Sequence, residues 1–248
     1  DSAVMTAYAS ERDGAPLRTL TLGFDEFAGS EQDEAPLAET VAARFGTIHQ
    51  TRRVRRADFA GCADGLFAAM DQPTIDGVNV YFVARAAKEI GLKVALSGVG
   101  GDELFGGYPS FHQIPRMVDL FRPVSAAPWL GRGFRAVAAP LLRRFTSPKY
   151  AGLLEYGGGY GSAYLLRRGL FMPWELPDLL GPEMAREGWN VLETRSRLDR
   201  TVAGLATPRQ KVSALELCWY MRNQLLRDSD WAGMAHSLEI RVPFVDPV

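Results

Sequence analysis

Between residues 17 and 98 the chain switches repeatedly between two hydrophobic periods, and no other feature limits its fold so sharply. "LRTLTLGF" (17–24) is rich in Leu and Thr and runs out at a glycine, the pattern of a strand. "DEAPLAETVAARFG" (33–46) sets Leu37, Val41 and Phe45 four residues apart, which predicts a helix face closed by Gly46. "TIHQTRRV" (47–54) reads as a second strand and "ADFAGCADGLFAAMD" (57–71) as a second helix. "NVYFVARAAKEIG" (79–91) is a third helix, and "KVALSG" (93–98) a short, buried strand. Strands and helices in alternation at this spacing predict an α/β fold, a parallel sheet with flanking helices. Ligands of such sheets bind beyond the carboxyl ends of the strands.

Past residue 112 the pattern changes. Proline-punctuated "FRPVSAAPWLG" (121–131) leads into a largely helical extension, with "VSALELCWYMRNQLLRDSD" (212–230) its clearest helix. "LEYGGGYGSAYL" (154–165) reads as a plain connection into a helix. The expected division is therefore an α/β part over 1–111 and a mainly helical part over 112–248.

Composition removes several classes of function. Lys and Arg total 28 against 29 Asp and Glu, a net charge of −1, which supplies no global attraction to nucleic acid or an anionic membrane. The basic runs "TRRVRRAD" (51–58) and "LLRRF" (141–145) read as solvated faces. No apolar stretch approaches the roughly 18 residues needed to span a bilayer, and residues 1–10 lack the features of a signal peptide. Cys62 and Cys218 stand alone, without metal-ligand or disulfide spacing, which points to a reducing cytosol. The three histidines form no zinc motif.

The chemistry concentrates in "ALSGVGGDELFGGYPSF" (95–111), where a glycine-rich turn leads from a strand into Asp102 and Glu103. Two readings compete. Acids at a helix N-terminus are ordinary caps. Amides exposed at a helix start also attract phosphate, and an adjacent carboxylate can hold Mg²⁺ against phosphate oxygens. Gly106, Gly107 and Tyr108 follow at once, so the helix must be very short; spacing alone leaves the two readings level. At the start of the chain, Asp1 and Ser2 open an alanine-rich helix and, taken alone, read as a cap. In "LLRDSDWAGMAHSLEIRVPFVD" (225–246), Arg227, Asp228 and Asp230 read as structural, and Glu239 and Arg241 as an ion pair on one face of an extended segment.

These three segments, "DSAV", "ALSGVGGDELFGGY" and "LLRDSDWAGMAHSLEIRVPFVD", in this order, make the sequence resemble the synthetase domain of glutamine-dependent asparagine synthetases, with weaker agreement between them. The resemblance implies a pyrophosphatase-type, adenine nucleotide alpha-hydrolase-like fold. In that family a Ser-Gly-Gly-x-Asp-Ser loop holds the phosphates of ATP, and its last two residues match Asp1 and Ser2. Leu22 matches a residue lining the adenosine pocket, Ser97 and Gly98 match nucleotide contacts, and Tyr108 falls near the phosphate region. Asp102 matches the acid that, with Asp1, handles Mg²⁺ and pyrophosphate, so the resemblance favours a catalytic Asp102 and leaves Glu103 as a cap or a supporting partner.

The implied reaction is ATP-dependent amide formation: aspartate is activated as an acyl-adenylate and aminated by ammonia from glutamine. One position departs from the pattern, because Val99 stands where asparagine synthetases commonly carry Glu and cannot exchange a proton. Relatives that close β-lactam rings or lasso peptides use the same chemistry on other carboxylates, so the acceptor is aspartate or another carboxylate. A non-catalytic nucleotide-binding module is the rival. The resemblance also implies a glutaminase domain ahead of residue 1 and a catalytic Lys beyond Val248, so this stretch alone is expected to be inactive. A homodimer stays open as its assembly.

Overall fold

The computed structural model describes residues 1–12, 16–74, 76–124, 128–142 and 147–246. Most of the basic run at 141–145 lies outside them. The chain forms two compact units, Asp1–Leu104 with Trp219–Val248, and Phe105–Cys218.

The first unit is the α/β part. It opens with α1 (Ser2–Ser10), followed by β1 (Arg18–Phe24), α2 (Ala35–Arg44) and β2 (Ile48–Val54). β1 and β2 pair in parallel, from Arg18 opposite Ile48 to Phe24 opposite Val54. Burial along β2 alternates residue by residue, as a strand with one covered face requires. The segment expected as one helix over 57–71 is two, α3 (Arg56–Ala60) and α4 (Ala63–Ala69), interrupted at Gly61 and Cys62 where helix propensity drops. α5 (Gly77–Glu89) then buries Tyr81, Phe82, Ala84, Ala86 and Ala87. β3 (Val94–Leu96), expected to be buried, exposes Val94 and Leu96 and turns only Ala95 into the core, because among the described residues it is paired on one side alone, with the short β4. It leads into the five-residue α6 (Gly101–Phe105), as short as the following glycines require. Gly106 takes φ +82°, which a side chain disfavours.

The second unit is helical: α7 (Ser110–Phe121), α8 (Pro128–Leu142), α9 (Leu153–Tyr156), α10 (Tyr160–Arg168), α11 (Leu176–Leu180), α12 (Pro182–Leu192), α13 (Thr194–Val202) and α14 (Pro208–Leu215). Tyr156, Leu166 and Met172 form one of its buried clusters, with Trp174 against it. Thr207 caps α14 reciprocally: Gln210 N donates to Thr207 Oγ1 at 3.2 Å, and Thr207 N donates to Gln210 Oε1 at 3.1 Å. The helix expected over 212–230 belongs to a longer helical run from Pro208 to Met234, of which Glu216–Leu225 is wound as a π-helix. Its last part, α15 (Leu226–Met234), and the strand β4 (Glu239–Arg241) belong to the first unit.

The architecture is thus mixed α/β, mostly helical. Among the described residues its strands make two parallel pairs, β1–β2 and β3–β4, in place of the single sheet expected. A shared core joins the pairs: Ala84 and Ala87 of α5 and Leu238 pack with Leu20 of β1, Ala95 of β3 and Ile240 of β4. A second cluster, Leu66, Tyr81, Trp231 and Ala232, fastens α15 across α5.

Candidate active site

The turn after β3 is built for close approach. Ser97 N donates to Arg241 O at 2.8 Å, which extends the β3–β4 ladder to the mouth of the loop, and Val99 N donates to Ser97 Oγ at 3.4 Å. Gly100 takes φ +98°, and a β-carbon there would lie 2.5 Å from Val245 Cγ1 and 3.4 Å from Phe244 Cβ. A β-carbon on Gly98 would lie 2.7 Å from both the backbone N and the Oγ of Ser2. One on Gly101 would overlap the carboxylate of Asp1. Three glycines therefore admit two other pieces of chain, the first residues and the closing "VPFVD", against one loop.

This geometry bears on the capping reading of Asp1. Its carbonyl oxygen accepts from Val4 N at 3.0 Å and Met5 N at 3.3 Å, but its side chain makes no capping hydrogen bond. The carboxylate lies against Gly101 instead, beside the residue that precedes Asp102. Asp1 and Ser2 are exposed, Asp102 is half-buried in the first turn of α6, and Glu103 is fully buried. Asp1, Ser2, Gly98 and Gly101 are thereby brought together, with Ser97 and Asp102 flanking them in the loop. Leu22 lies elsewhere in the same unit, half-buried on β1 in the other strand pair and opposite Arg52. Tyr108 belongs to the second unit, where the Arg168 guanidinium carbon sits 4.6 Å from its ring centroid.

The chemistry of the donors suits a hard cation. Two carboxylates, Asp1 and Asp102, border a loop whose glycines leave no side chain in the way. Mg²⁺ is ordinarily held by one or two carboxylates, with waters and substrate phosphates completing its shell. Among the described residues no group of three or more His, Cys, Asp or Glu could hold a metal ion by itself.

Two acids of the closing motif, Asp228 and Glu239, are engaged by neighbouring side chains. Arg227 pairs with Asp71, its Nε donating at 2.9 Å. Asp228 is fully buried; Thr74 Oγ1 donates to it at 2.6 Å and Trp231 Nε1 at 3.0 Å. Burial pushes the Asp228 carboxyl above its ordinary range, against the pull of these two bonds. Arg241 Nε donates to Glu239 Oε1 at 2.8 Å on the exposed face of β4, the ion pair expected.

Asp76 and Glu216 stand outside the three sequence motifs, yet both are tied into the structure. Asp76 accepts from Tyr220 OH at 2.6 Å and Gln224 Nε2 at 2.7 Å, which ties the segment before α5 to the π-helix. Glu216 is a fully buried acid, and its only signal was a charge set in the apolar run "ALELCWYM".

A family model described as asparagine synthase matches residues 1–247. A Mycobacterium tuberculosis H37Rv protein named "Putative asparagine synthetase (glutamine-hydrolyzing)" is 32% identical over 267 residues, covering 100% of this chain and 36% of its own length. Asparagine synthetases (glutamine-hydrolyzing) 3 and 1 of Bacillus subtilis are 28% and 27% identical, over 99% and 100% of this chain. The chain spans 36% and 38% of those two proteins.

Proposed function

Since the chain belongs to the asparagine synthase family, we propose that it carries the ATP-using site of a carbon–nitrogen ligase, converting aspartate to asparagine through an acyl-adenylate. The observation that supports this most is the convergence of Asp1 and Ser2, Gly98 to Asp102, and Phe244 and Val245 on one glycine loop. These are the three segments on which the resemblance rests, and they are far apart in sequence. In this reading residues 1–111 form the ATP-binding part of an adenine nucleotide alpha-hydrolase-like fold, to which the closing motif returns, and 112–248 the mainly helical part.

The substrate carboxylate attacks the α-phosphorus of ATP, forming the mixed anhydride and releasing pyrophosphate; ammonia then attacks the acyl carbon, giving the amide and AMP. Backbone amides of the loop and the start of α6 face the phosphates, and Ser2, Ser97 and Gly98 fix the nucleotide in register for in-line attack. Asp1 and Asp102 would hold Mg²⁺, which supplies charge neutralisation on the pyrophosphate oxygens. Leu22 lines the adenosine pocket and Tyr108 flanks the phosphates. The names of the relatives carry glutamine hydrolysis, and an N-terminal glutaminase domain of the kind the resemblance implies would deliver the ammonia. A cytosolic enzyme, homodimeric or not, fits this reading.

Val99 favours a second reading, in which the same adenylation acts on another carboxylate, because a valine cannot relay the proton that Glu would. Calorimetric titration of the full-length protein with Mg·ATP tests the shared premise. Asp1→Asn and Asp102→Asn are each expected to weaken binding about tenfold or more, on the scale of charge-assisted contacts. Unaltered affinity in both variants would remove the two carboxylates from the site.

A further inference from the structure

We propose that Glu216 is a positioning residue for Tyr108 and acts through Arg168. The inference rests on the reading of Tyr108 as a residue of the nucleotide site. Glu216 is fully buried in the helical unit, and a buried carboxylate is costly unless its lone pairs are met. They are met from two other elements. Ser110 Oγ, at the start of α7, donates to Oε1 at 2.5 Å. From α10, one turn apart, Tyr164 OH donates to Oε2 at 3.3 Å, and Arg168 donates from Nε at 3.1 Å and from Nη2 at 3.0 Å.

The consequence lies on the far side of the arginine. A guanidinium held by two of its donors has its plane fixed as well as its position. The guanidinium carbon lies over the ring of Tyr108, 4.6 Å from its centroid. Ser110, two residues after Tyr108, anchors the backbone from the same carboxylate. Glu216 thus holds Tyr108 from two directions, by its ring and by its chain. Well-packed apolar side chains of equal volume often replace a buried ion pair with no loss of stability. What the charged pair adds is direction.

The same unit contains a matched control. Arg135 Nε donates to Glu155 Oε2 at 3.1 Å, and its guanidinium carbon lies 4.3 Å from the Trp174 ring centroid. The chemistry is the same, an arginine between a carboxylate and an aromatic ring, but the ring is not Tyr108.

The test compares Mg·ATP dissociation constants and thermal midpoints of the full-length protein and four variants. Arg168→Met and Glu216→Gln are expected to raise the dissociation constant about tenfold. Arg135→Met is expected to lower the thermal midpoint similarly and leave the constant within about twofold of wild type. Arg168→Lys keeps a cation beside Glu216 but lacks the planar fork, and it is read in place of the methionine variant should that fail to fold; a raised constant is expected there too. Wild-type affinity in folded Arg168→Lys or Glu216→Gln protein would overturn the inference and leave the proposed function standing. A wild-type protein that binds no nucleotide would overturn the proposed function, and the inference with it.

Discussion

The carboxylate of Asp1 occupies the space that a β-carbon on Gly101 would need. Two residues a hundred positions apart are therefore matched by the lack of one methyl group. Gly101→Ala is expected to push Asp1 out of place and weaken Mg·ATP binding of the full-length protein by about tenfold or more, on the scale of a lost charge-assisted contact. Gly98→Ala, which would crowd Ser2 at 2.7 Å, is expected to act in the same direction. Titration calorimetry reads both, and wild-type affinity in the pair would show that the glycines serve only the turn.

Gly188 makes the opposite prediction. It lies within α12, and a β-carbon there would have open space on all sides. Gly188→Ala is expected to stabilise the protein by about 0.4–1 kcal/mol, chiefly by restricting the unfolded chain. Urea denaturation measures this as a higher midpoint at unchanged slope.

Gly77 opens α5 where three side chains close in. A β-carbon would sit 2.5 Å from Trp231 Cζ2, 2.7 Å from Thr74 Cγ2 and 2.9 Å from Asp228 Oδ1. Gly77→Ala is expected to cost about 1–3 kcal/mol, as overpacking of a filled site does. The same denaturation series reads the loss, and an unchanged midpoint would mean that this junction yields freely.

His236 is expected to lower stability on the acid side. Its Nε2 is buried without a hydrogen-bond partner, and its ring meets that of Tyr81 at 4.3 Å. Burial, then the charges of Lys88 and Arg85, lower its pKa, and Glu89 opposes them. The folded protein thus refuses a proton that the unfolded chain accepts near pH 6.5. The stability tied to a neutral His236 is full above that value and is lost as the pH falls through the depressed folded value. Asp228, whose pKa burial raises, has the opposite sign: its contribution is full below the ordinary carboxyl value and is lost as the pH rises through the elevated one. Denaturation midpoints between pH 7 and 5 are expected to fall less in His236→Phe than in wild type.

The parts of the fold carried by local pattern were legible: β1, α2, β2, α5, β3 and the short α6 follow from periodicity and glycine placement. The break at Gly61 and Cys62 was not, because apolar spacing runs through it on both sides. The separation of the strands into two pairs was also hidden, since periodicity marks a strand without naming its neighbour. At the site, spacing alone left Asp102 level between cap and ligand and read Asp1 as a cap; only the resemblance joined them. The contact of Asp1 with Gly101 is tertiary, so nothing within ten residues of either encodes it. Glu216 was missed for a related reason: its donors come from residues 110, 164 and 168, and in sequence it is one acid in a helix.

The central claim is that this chain carries a site that activates a carboxylate with ATP. The most direct measurement is AMP formation by the full-length protein from ATP, Mg²⁺ and ammonia, with and without aspartate. Release of AMP and pyrophosphate in equal amounts, dependent on aspartate, is the predicted result, and it would show that Val99 is compatible with that acceptor. Folded protein that binds ATP yet forms no AMP above the aspartate-free background would contradict the assignment of aspartate. The same outcome with every other carboxylate offered would contradict the claim itself.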